Sequence, residues 1–438
     1  MSRTPLRVSL AVSSVAALAT ALAVSVPAVS GVSPAGVTAV LSVSPGFTAA
    51  SLPAGTRLQG DYRRVGAVVV TLPGASLRQL AAVPGVRGIR HDYTIAVSGD
   101  NGTSTGAGVS APAALGAPAG SVGAGGGVTV AVLDTGVADT EALDRASGRL
   151  VSGTDTSGEN GNKSRDGHGH GTFMANLIAG GTLAGQQVGV APAARVVDVK
   201  VAAADGSTSL SKVIAGLDWV AKNRDGLGIR VLNLSLSAPR PQGGYARDPL
   251  TDAAEAVRNA GIVVAVSSGN TANQLGDPGH DPLLMSVGAA DTRQTASVAD
   301  FSGSGVIAGM NRPDVVAPGV SMLSVLPASS YVATAYPQSA TGTGLYRGSG
   351  TSEAAAVTSG AVAIFLSGKT GVSPDDVRAS FATVAKNLGG SADGAGLIRI
   401  PSKVVRWSAE GAGSDSAPAY DPSTSSTSWS STSWSSQW

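Results

Sequence analysis

Cysteine is absent from this 438-residue chain, and charged residues are scarce at 13%. The absence of cysteine excludes a disulfide scaffold, a thiol nucleophile, cysteine-ligated zinc and iron–sulfur clusters. Lys and Arg number 30 against 29 Asp and Glu, so the chain has no basic surplus for a phosphate backbone and is not expected to bind nucleic acid. Hydrophobic residues reach 43%, which suffices for a sizeable core in a chain of this length.

The first thirty residues have the pattern of a secretion signal. Arg3 and Arg7 form a short positive region, the uncharged residues 8–29 follow, and residues 28–30 offer a small-x-small cleavage site. The alternative is an uncleaved membrane anchor, because about 22 uncharged residues can span a bilayer. Pro27 and the small residues at the end of the stretch favour cleavage. We therefore expect a secreted protein without membrane contact after removal of residues 1–30.

Composition and periodicity divide the rest of the chain into four parts. Residues 31–98 alternate strand and helix patterns and predict a small α+β domain. Residues 99–127 are rich in Gly, Ala and Ser and predict a linker. Residues 128–400 alternate short β-branched runs with helical segments, which is typical of a mainly parallel sheet with right-handed crossovers. Residues 401–438 form a low-complexity Ser/Thr/Trp tail.

Four polar residues lie near the carboxyl ends of predicted strands or at the start of a predicted helix. Functional sites of such sheets lie at the carboxyl ends of their strands. Asp134 closes the apolar run 128–133, His170 precedes an apolar helical segment, and Ser352 stands at a helix start. A serine hydroxyl becomes a nucleophile when an imidazole takes its proton, and a carboxylate fixes the tautomer of that imidazole. Asn270 follows another strand, where its amide can donate to a developing oxyanion.

These residues and seven motifs resemble the subtilisin-type serine proteases of the subtilase family. In family order, the motifs are VAVLDTGV, HGTFMANLIA, LNLSLS, VVAVSSGN, VGAAD, PDVVAPGV and GTSEAAAVTSGAVA. The chain order Asp, His, Asn, Ser differs from that of chymotrypsin and the α/β-hydrolases. The resemblance implies an α/β, three-layer subtilisin-like fold with a mainly parallel central sheet, preceded by a small α+β propeptide domain. It also implies serine endopeptidase activity on a protein or peptide substrate.

Carried over position by position, the resemblance makes Asp134, His170 and Ser352 the catalytic triad and Asn270 an oxyanion donor. It assigns substrate binding to two edge strands that would pair with substrate backbone. The candidate residues there are Ser235, Leu236, Ser237, Ala204, Asp205 and Gly206. It makes residues 31–98 a propeptide that inhibits the enzyme within its own chain and is removed by self-cleavage in the linker.

Some interpretations stay open. His168 is a second candidate base, although the family motif His-Gly-Thr selects His170. The two histidines together could chelate a metal ion. No third ligand follows at zinc-site spacing, so we predict no metal ligand. Glu353 and Ala356 stand where the family usually has Met and Pro. They motivate an alternative function, a secreted and catalytically impaired protein of the same fold that binds peptides uncut.

Two further parts of the sequence concern cofactor and specificity. The chemistry requires no cofactor. Residues 180–187 lack the Asn-rich calcium loop of many family members, which leaves structural calcium open. Asp277 either favours a basic side chain in the pocket for the residue before the cut, or is a turn carboxylate that faces water.

Overall fold

The computed structural model describes residues 36–72, 77–97, 106–116, 124–159, 166–238 and 248–407. The predicted signal sequence and most of the predicted tail lie outside these ranges, so both stay predictions. Within the described residues, no helix combines the length and the apolar character needed to cross a bilayer.

Residues 36–97 fold into a small antiparallel sheet with one short helix, which we call the N-terminal domain. Its strands are β1 (Val37–Val43), β2 (Arg57–Tyr62), β3 (Ala67–Leu72), β4 (Val86–His91) and β5 (Thr94–Ala96), its helix is α1 (Leu77–Ala81), and 3-10 turns cover Ala49–Ser51 and Arg63–Val65. The sheet order is β2-β3-β1-β4. Alternate residues of β1 show why the sheet has two buried faces: Leu41 packs into the domain's own core, whereas Val40 packs against the larger domain.

The larger domain contains the remaining elements. Its strands are β6 (Thr129–Asp134), β7 (Leu150–Asp155), β8 (Thr182–Leu183), β9 (Gln186–Gln187), β10 (Arg195–Lys200), β11 (Ser207–Ser209), β12 (Ile229–Leu234), β13 (Val263–Ser267), β14 (Met285–Asp291), β15 (Ser297–Val298), β16 (Gly305–Ile307), β17 (Met310–Arg312), β18 (Val315–Pro318), β19 (Met322–Ser324) and β20 (Tyr346–Gly348). Its helices are α2 (Ala111–Ala114), α3 (His170–Ala179), α4 (Leu210–Leu227), α5 (Pro249–Asn259), α6 (Tyr331–Ala335), α7 (Thr351–Leu366) and α8 (Pro374–Val384), with a 3-10 turn at Pro337–Ser339.

The central sheet has eight strands and is mainly parallel. Its order is β15-β14-β13-β12-β6-β10-β7, with β18 paired to β14. The pairing of β15 with β14 is antiparallel, and the other pairings are parallel. In β6, Val130 and Val132 face the core formed with α3 and α7, whereas Ala131 and Leu133 face the core formed with α4 and α5. Helices on both faces of a parallel sheet confirm the predicted three-layer α/β fold.

The N-terminal domain lies on the face of α4 and α5. Its strand β5 pairs antiparallel with β11, with Ile95 opposite Thr208. The carboxylate of Asp92 accepts the Ser211 backbone N–H at 2.8 Å and the Ser211 hydroxyl at 2.7 Å. An aspartate in this position suits the positive end of the α4 dipole.

Described parts of two segments that the sequence predicts as linker and tail make tertiary contacts with the larger domain. Within the predicted linker 99–127, Val109 donates its N–H to Ser321 and Ala111 is fully buried, so this stretch packs on the larger domain. Within the predicted tail 401–438, Val405 contacts α8. Its backbone N–H donates to the Ser380 hydroxyl at 2.8 Å. Small and polar residues gave both stretches a linker-like composition, but tertiary contacts order their described residues.

Candidate active site

Asp134 and His170 form a buried carboxylate–imidazole pair. Asp134 ends β6 and His170 begins α3, so the sheet and the helix present them to each other. His170 Nδ1 lies 2.8 Å from Asp134 Oδ1, which also accepts the Thr135 backbone N–H at 2.8 Å. In the neutral imidazole this contact places the proton on Nδ1 and leaves Nε2 as the acceptor. Nε2 is buried and has no hydrogen-bond partner among the described residues.

The charges around His170 make it a strong base. Burial disfavours the imidazolium and by itself lowers the pKa of His170. The negative charge and hydrogen bond of Asp134, followed by the charges of Glu353 and Asp166, outweigh burial and raise the pKa to about 9. An imidazole of this kind holds a proton taken from a hydroxyl and then passes it to a leaving group.

Asp166 fixes the loop around this pair and is a residue that sequence reasoning missed. It is fully buried. One carboxylate oxygen accepts the Thr135 hydroxyl at 2.8 Å and the Gly169 N–H at 2.7 Å; the other accepts the Thr172 N–H at 2.8 Å and the Thr172 hydroxyl at 2.6 Å. Its only sequence signal was an acidic residue just before a helix start, which is common at helix N-termini.

Ser352 is the second residue of α7, and its side chain reaches the end of β12. Ser352 Oγ donates to the Ser235 carbonyl at 3.3 Å, and Ser235 Oγ donates to the Ser352 carbonyl at 3.2 Å. In this rotamer the hydroxyl is therefore directed to Ser235 and not to His170. The Ser352 hydroxyl has to redirect its hydrogen bond from Ser235 before it can donate to the imidazole.

The amino ends of α3 and α7 are neighbours. A Cβ placed on Gly348 would lie 2.5 Å from Glu353 Oε1 and 2.9 Å from the ring of Phe173, so both side chains share one small space. Glu353 is nearly fully buried there, and its charge acts on His170. The structure thus brings the serine helix and the histidine helix together at the carboxyl edge of the sheet.

Asn270 is oriented by Thr351. Asn270 Oδ1 accepts both the Thr351 N–H at 2.9 Å and the Thr351 hydroxyl at 2.8 Å. The amino group Nδ2 is left to donate, and a Cβ on Gly350 would lie 3.3 Å from it. Nδ2 therefore stands beside the first turn of α7, where backbone N–H groups have no acceptor within the helix. The two kinds of donor can serve one oxyanion.

A cleft of 720 Å³ opens beside Asn270. All of its lining residues are uncharged. They are Ser237, Ala238, Gly269, Asn270, Thr271, Asn273, Gln274, Leu275, Gly276, Ser304, Gly305 and Val306. The backbones of Ala238 and Asp277 exchange hydrogen bonds of 2.9 Å behind this lining. The cleft is thus suited to an uncharged side chain.

Both predicted placements of Asp277 are wrong. Its side chain is fully buried, so it neither faces water nor lines the cleft. Asp277 Oδ1 accepts the Thr251 hydroxyl at 2.8 Å on α5. Burial, followed by the charge of Asp248, raises the pKa of the Asp277 carboxyl well above its usual range. The backbone pairing with Ala238 turns this side chain away from the cleft and towards α5.

The first predicted substrate-binding segment is divided between three environments. Ser237 lines the cleft, and Ser235 contacts Ser352 as described. Leu236 is buried in the core between the sheet and α4 and α5. Alternation along an extended chain separates these neighbours, so only Ser237 is positioned to touch a ligand in the cleft.

The second segment is a turn, which corrects the prediction of an edge strand there. Gly206 donates its N–H to the Ala203 carbonyl at 2.9 Å, and Ala204 donates its N–H to Glu159 at 2.9 Å. The Asp205 carboxylate accepts the Ser207 N–H at 2.8 Å, which is an Asx-type turn, so the strand begins only at Ser207. The Gly206 carbonyl accepts an N–H from Val97 at 2.9 Å.

The structure separates the roles of the two neighbouring histidines. The ring of His168 stacks on Tyr331 with 5.4 Å between centroids, while His170 takes the carboxylate. Burial and then the charge of His170 lower the pKa of His168. In the part of the chain that the structure describes, no cluster of three or more His, Asp or Glu is arranged to hold a metal ion. Residues 182–187 close as the tight hairpin of β8 and β9.

A mainly parallel α/β sheet that carries an aspartate–histidine pair and a helix-terminal serine at its carboxyl edge defines the subtilisin-like class of protein. The sequence profile of the subtilase family matches residues 125–397, which is more than half of the chain. The chain therefore belongs to the subtilase family.

Known relatives agree with this assignment. Serine protease AprX of Bacillus subtilis (strain 168) is 34% identical over 267 residues, which are 58% of this chain and 60% of AprX. Subtilisin BL of Lederbergia lenta is 37% identical over 209 residues, 47% of this chain and 69% of that protein. The solved structure of fervidolysin from Fervidobacterium pennivorans is similar in fold, with a TM-score of 0.65 at 21% identity over 83% of this chain and 60% of that chain. The match with AprX thus spans less than two thirds of its length.

Proposed function

We propose that the chain is a secreted serine endopeptidase that hydrolyses peptide bonds in protein or peptide substrates. The observation that carries the proposal is the 2.8 Å contact between His170 Nδ1 and Asp134 Oδ1, in a subtilase whose Ser352 lies in the first turn of the neighbouring helix. The relatives named serine protease and subtilisin support the same activity.

Acylation uses four residues. Ser352 Oγ attacks the carbonyl carbon of the scissile bond while its proton passes to His170 Nε2, and Asp134 stabilises the resulting imidazolium. Asn270 Nδ2 and the Ser352 backbone N–H donate to the oxyanion. His170 then gives the proton to the leaving nitrogen as the C–N bond breaks, which leaves an acyl ester on Ser352.

Deacylation repeats these steps with water. His170 Nε2 takes a proton from the water as its oxygen attacks the ester carbonyl, and the same donors stabilise the second oxyanion. The imidazolium then returns the proton to Ser352 Oγ, the ester bond breaks, and the free carboxylic acid leaves. The chemistry requires no cofactor.

The cleft beside Asn270 favours an uncharged side chain before the cut. All of its described lining residues are uncharged, and the buried Asp277 does not reach it. Cleavage of a peptide library with the purified enzyme tests this. We expect cuts after uncharged residues; a dominant preference for Lys or Arg would contradict the assignment of the cleft.

The N-terminal domain is proposed to act as the propeptide and intramolecular inhibitor. Strand β5 adds to β11, and Val97 continues to the Gly206 carbonyl in the predicted substrate segment. Addition of a strand to an edge is how an extended peptide binds. We place self-cleavage between residues 98 and 108, because Val109 is already paired with Ser321 in the larger domain.

Replacement of the nucleophile tests the activity and the self-cleavage together. The Ser352→Ala chain is expected to lose labelling by a fluorophosphonate probe and to keep residues 31–98, when it is expressed without other proteases. Ser367→Ala, at the opposite end of α7, is the matched control and should behave as wild type. Labelling of Ser352→Ala, or its complete processing, would refute the proposed roles.

The same probe tests the alternative of a catalytically impaired peptide-binding protein. A correctly folded wild-type chain that has lost the N-terminal domain and still resists labelling would favour that alternative. Secretion is tested separately by expression of residues 1–438 in a secreting host. We expect the protein in the medium without residues 1–30; retention in the membrane fraction would support the uncleaved anchor.

A further inference from the structure

The N-terminal domain places two arginines against carboxylates at the amino end of α5. Arg90 Nε lies 3.0 Å from Asp248 Oδ2, and Arg87 Nη2 lies 3.8 Å from Asp252 Oδ2. Asp248 and Asp277 are fully buried and Asp252 is nearly so. We call Asp248, Asp252 and Asp277 the carboxylate pocket. It lies behind the cleft, because the Asp277 backbone pairs with cleft residue Ala238.

Arg90 is held in this pocket from two sides. Its guanidinium carbon lies 5.1 Å from the centroid of the Tyr93 ring, a cation–π arrangement within the N-terminal domain. The charges of Asp248 and Asp277 both act to raise the pKa of Arg90 against its burial. Asp248 also accepts the Leu250 N–H at 2.9 Å as the N-cap of α5, so its position is fixed by the helix.

The larger domain places both an acid and a base beside Asp277. The Asp248 carboxylate is hydrogen-bonded to the Asp277 carboxyl, and His280 Nδ1 lies 3.8 Å from Asp277 Oδ1. The N-terminal domain is basic: residues 36–97 contain six Arg against two Asp, with no Lys or Glu. Separation of the two domains removes Arg90 from Asp248. The free-energy cost of losing this charge-assisted contact opposes separation.

We propose that Arg90, paired with Asp248 in the carboxylate pocket, keeps the N-terminal domain bound to the peptidase after self-cleavage. The carboxylate pocket is then a binding site for a guanidinium group outside the catalytic cleft, and the partner that fits it is the arginine-bearing segment from β4 to β5. Release of Arg90 from the pocket, after the cut, sets when activity appears. This inference rests on the proposed function and goes beyond it.

Arg90→Ala in the full chain tests the inference cleanly, because Arg90 departs with the N-terminal domain. The processed enzyme from this variant is chemically identical to the wild-type enzyme. Gel analysis times the cut, and hydrolysis of a peptide substrate times the activity in the same sample. We expect the interval between the two to shorten at least about tenfold for Arg90→Ala, with the same final activity.

Arg57→Ala is the matched control, since Arg57 is an exposed arginine on β2 of the same domain. It should keep the wild-type interval. An unchanged interval in Arg90→Ala, with normal final activity, would overturn the role of Arg90 while leaving the proposed function intact. A wild-type chain that is never active would instead count against the proposed function.

Asp248→Asn covers the case in which Arg90→Ala does not fold. This change keeps the shape of the N-cap and removes the charge that Arg90 contacts, so it should shorten the interval as well. The double variant should shorten it no further than the larger single effect, because both changes break one contact. Purely additive effects, or a wild-type interval in Asp248→Asn, would overturn the proposal.

Discussion

Glu353 directly follows Ser352, the proposed nucleophile, and places a buried charge in the site. Through that charge it contributes to raising the pKa of His170. The catalytic base must be neutral, so the rate constant kcat/KM rises as the pH increases through this pKa. Removal of the charge lowers the pKa and lets His170 become neutral at lower pH.

Glu353→Gln is therefore expected to shift the acidic limb of the kcat/KM profile to lower pH. The measurement is the pH dependence of kcat/KM for wild type and variant on one uncharged peptide substrate. Glu141→Gln, which removes an exposed carboxylate, serves as the control and should leave the limb in place. A profile that moves to higher pH, or does not move, contradicts the role of Glu353.

Asn270 is predicted to act in the transition state rather than in substrate binding. Asn270→Ala should reduce kcat by about 100- to 1,000-fold, the range found when one oxyanion donor is removed from a subtilisin, with little change in KM. Steady-state kinetics give both constants. Gln274→Ala, which alters another amide of the same cleft, should retain most of kcat. A loss confined to KM would place Asn270 among the binding residues instead.

The residues that we propose to carry the chemistry were accessible from the sequence, but their surroundings were not. Asp134, His170 and Ser352 each lie within a short sequence motif, which is a local signal. Asp277 could not be placed, because its direction depends on Thr251 of α5 and on its backbone pairing with Ala238. Contacts of this kind join segments far apart in sequence and leave no local pattern.

At the scale of elements, the start of α3 holds His170, the proposed base, against the end of the central sheet. We call this start of α3 the joint. Asp166 accepts four hydrogen bonds from the residues around that start. Asp166→Ala should lower the free energy of unfolding by at least about 2 kcal/mol, because buried donors lose their acceptor. Denaturant unfolding in a Ser352→Ala background, where self-digestion is absent, measures this change.

A comparison with Asp166→Asn separates charge from geometry. The amide keeps one acceptor oxygen but cannot accept from Thr172 with its nitrogen, so we expect a smaller loss of stability than for alanine. The loss of kcat should follow the same order, since the loop that orients His170 loosens. Equal stability of all three chains would show that Asp166 does not hold this joint.

The strands and helices of the central sheet were predictable because β-branched runs and helical spacing are local signals. The turn at 204–206 and the ordered segment 106–116 depend on contacts that local signals do not show. Asp205 closes its turn through Ser207, and Val109 is ordered by Ser321, more than two hundred residues away. Composition alone assigned the second of these to a linker, since small residues are common both in linkers and in close packing.

At the scale of the whole molecule, the near-neutral net charge hides two unequal parts. Residues 1–97 hold eight of the 30 basic residues and two of the 29 acidic residues, which leaves 22 basic and 27 acidic residues in 98–438. Processing is thus expected to convert a neutral chain into an acidic enzyme. Anion exchange at pH 8 checks this: processed enzyme should bind more tightly than the unprocessed Ser352→Ala chain, and equal retention would contradict it.

Stability without disulfides is expected to depend on the core rather than on calcium. Most of the segment 180–187 forms the hairpin of β8 and β9, whose turn residues Ala184 and Gly185 have positive φ. We therefore expect EDTA to leave the Tm of the Ser352→Ala chain unchanged. A Tm that falls with EDTA and recovers with Ca²⁺ would reveal a structural calcium site.

The pairing of β5 with β11 has a further consequence for control of the enzyme by concentration. Before the proposed cut, the covalent chain holds the two strands at an effective concentration on the order of millimolar, so the proposed inhibition is independent of dilution. After the cut, the same contact obeys the law of mass action. A processed complex that leaves a crowded cell for a large volume is expected to dissociate without any signal other than dilution.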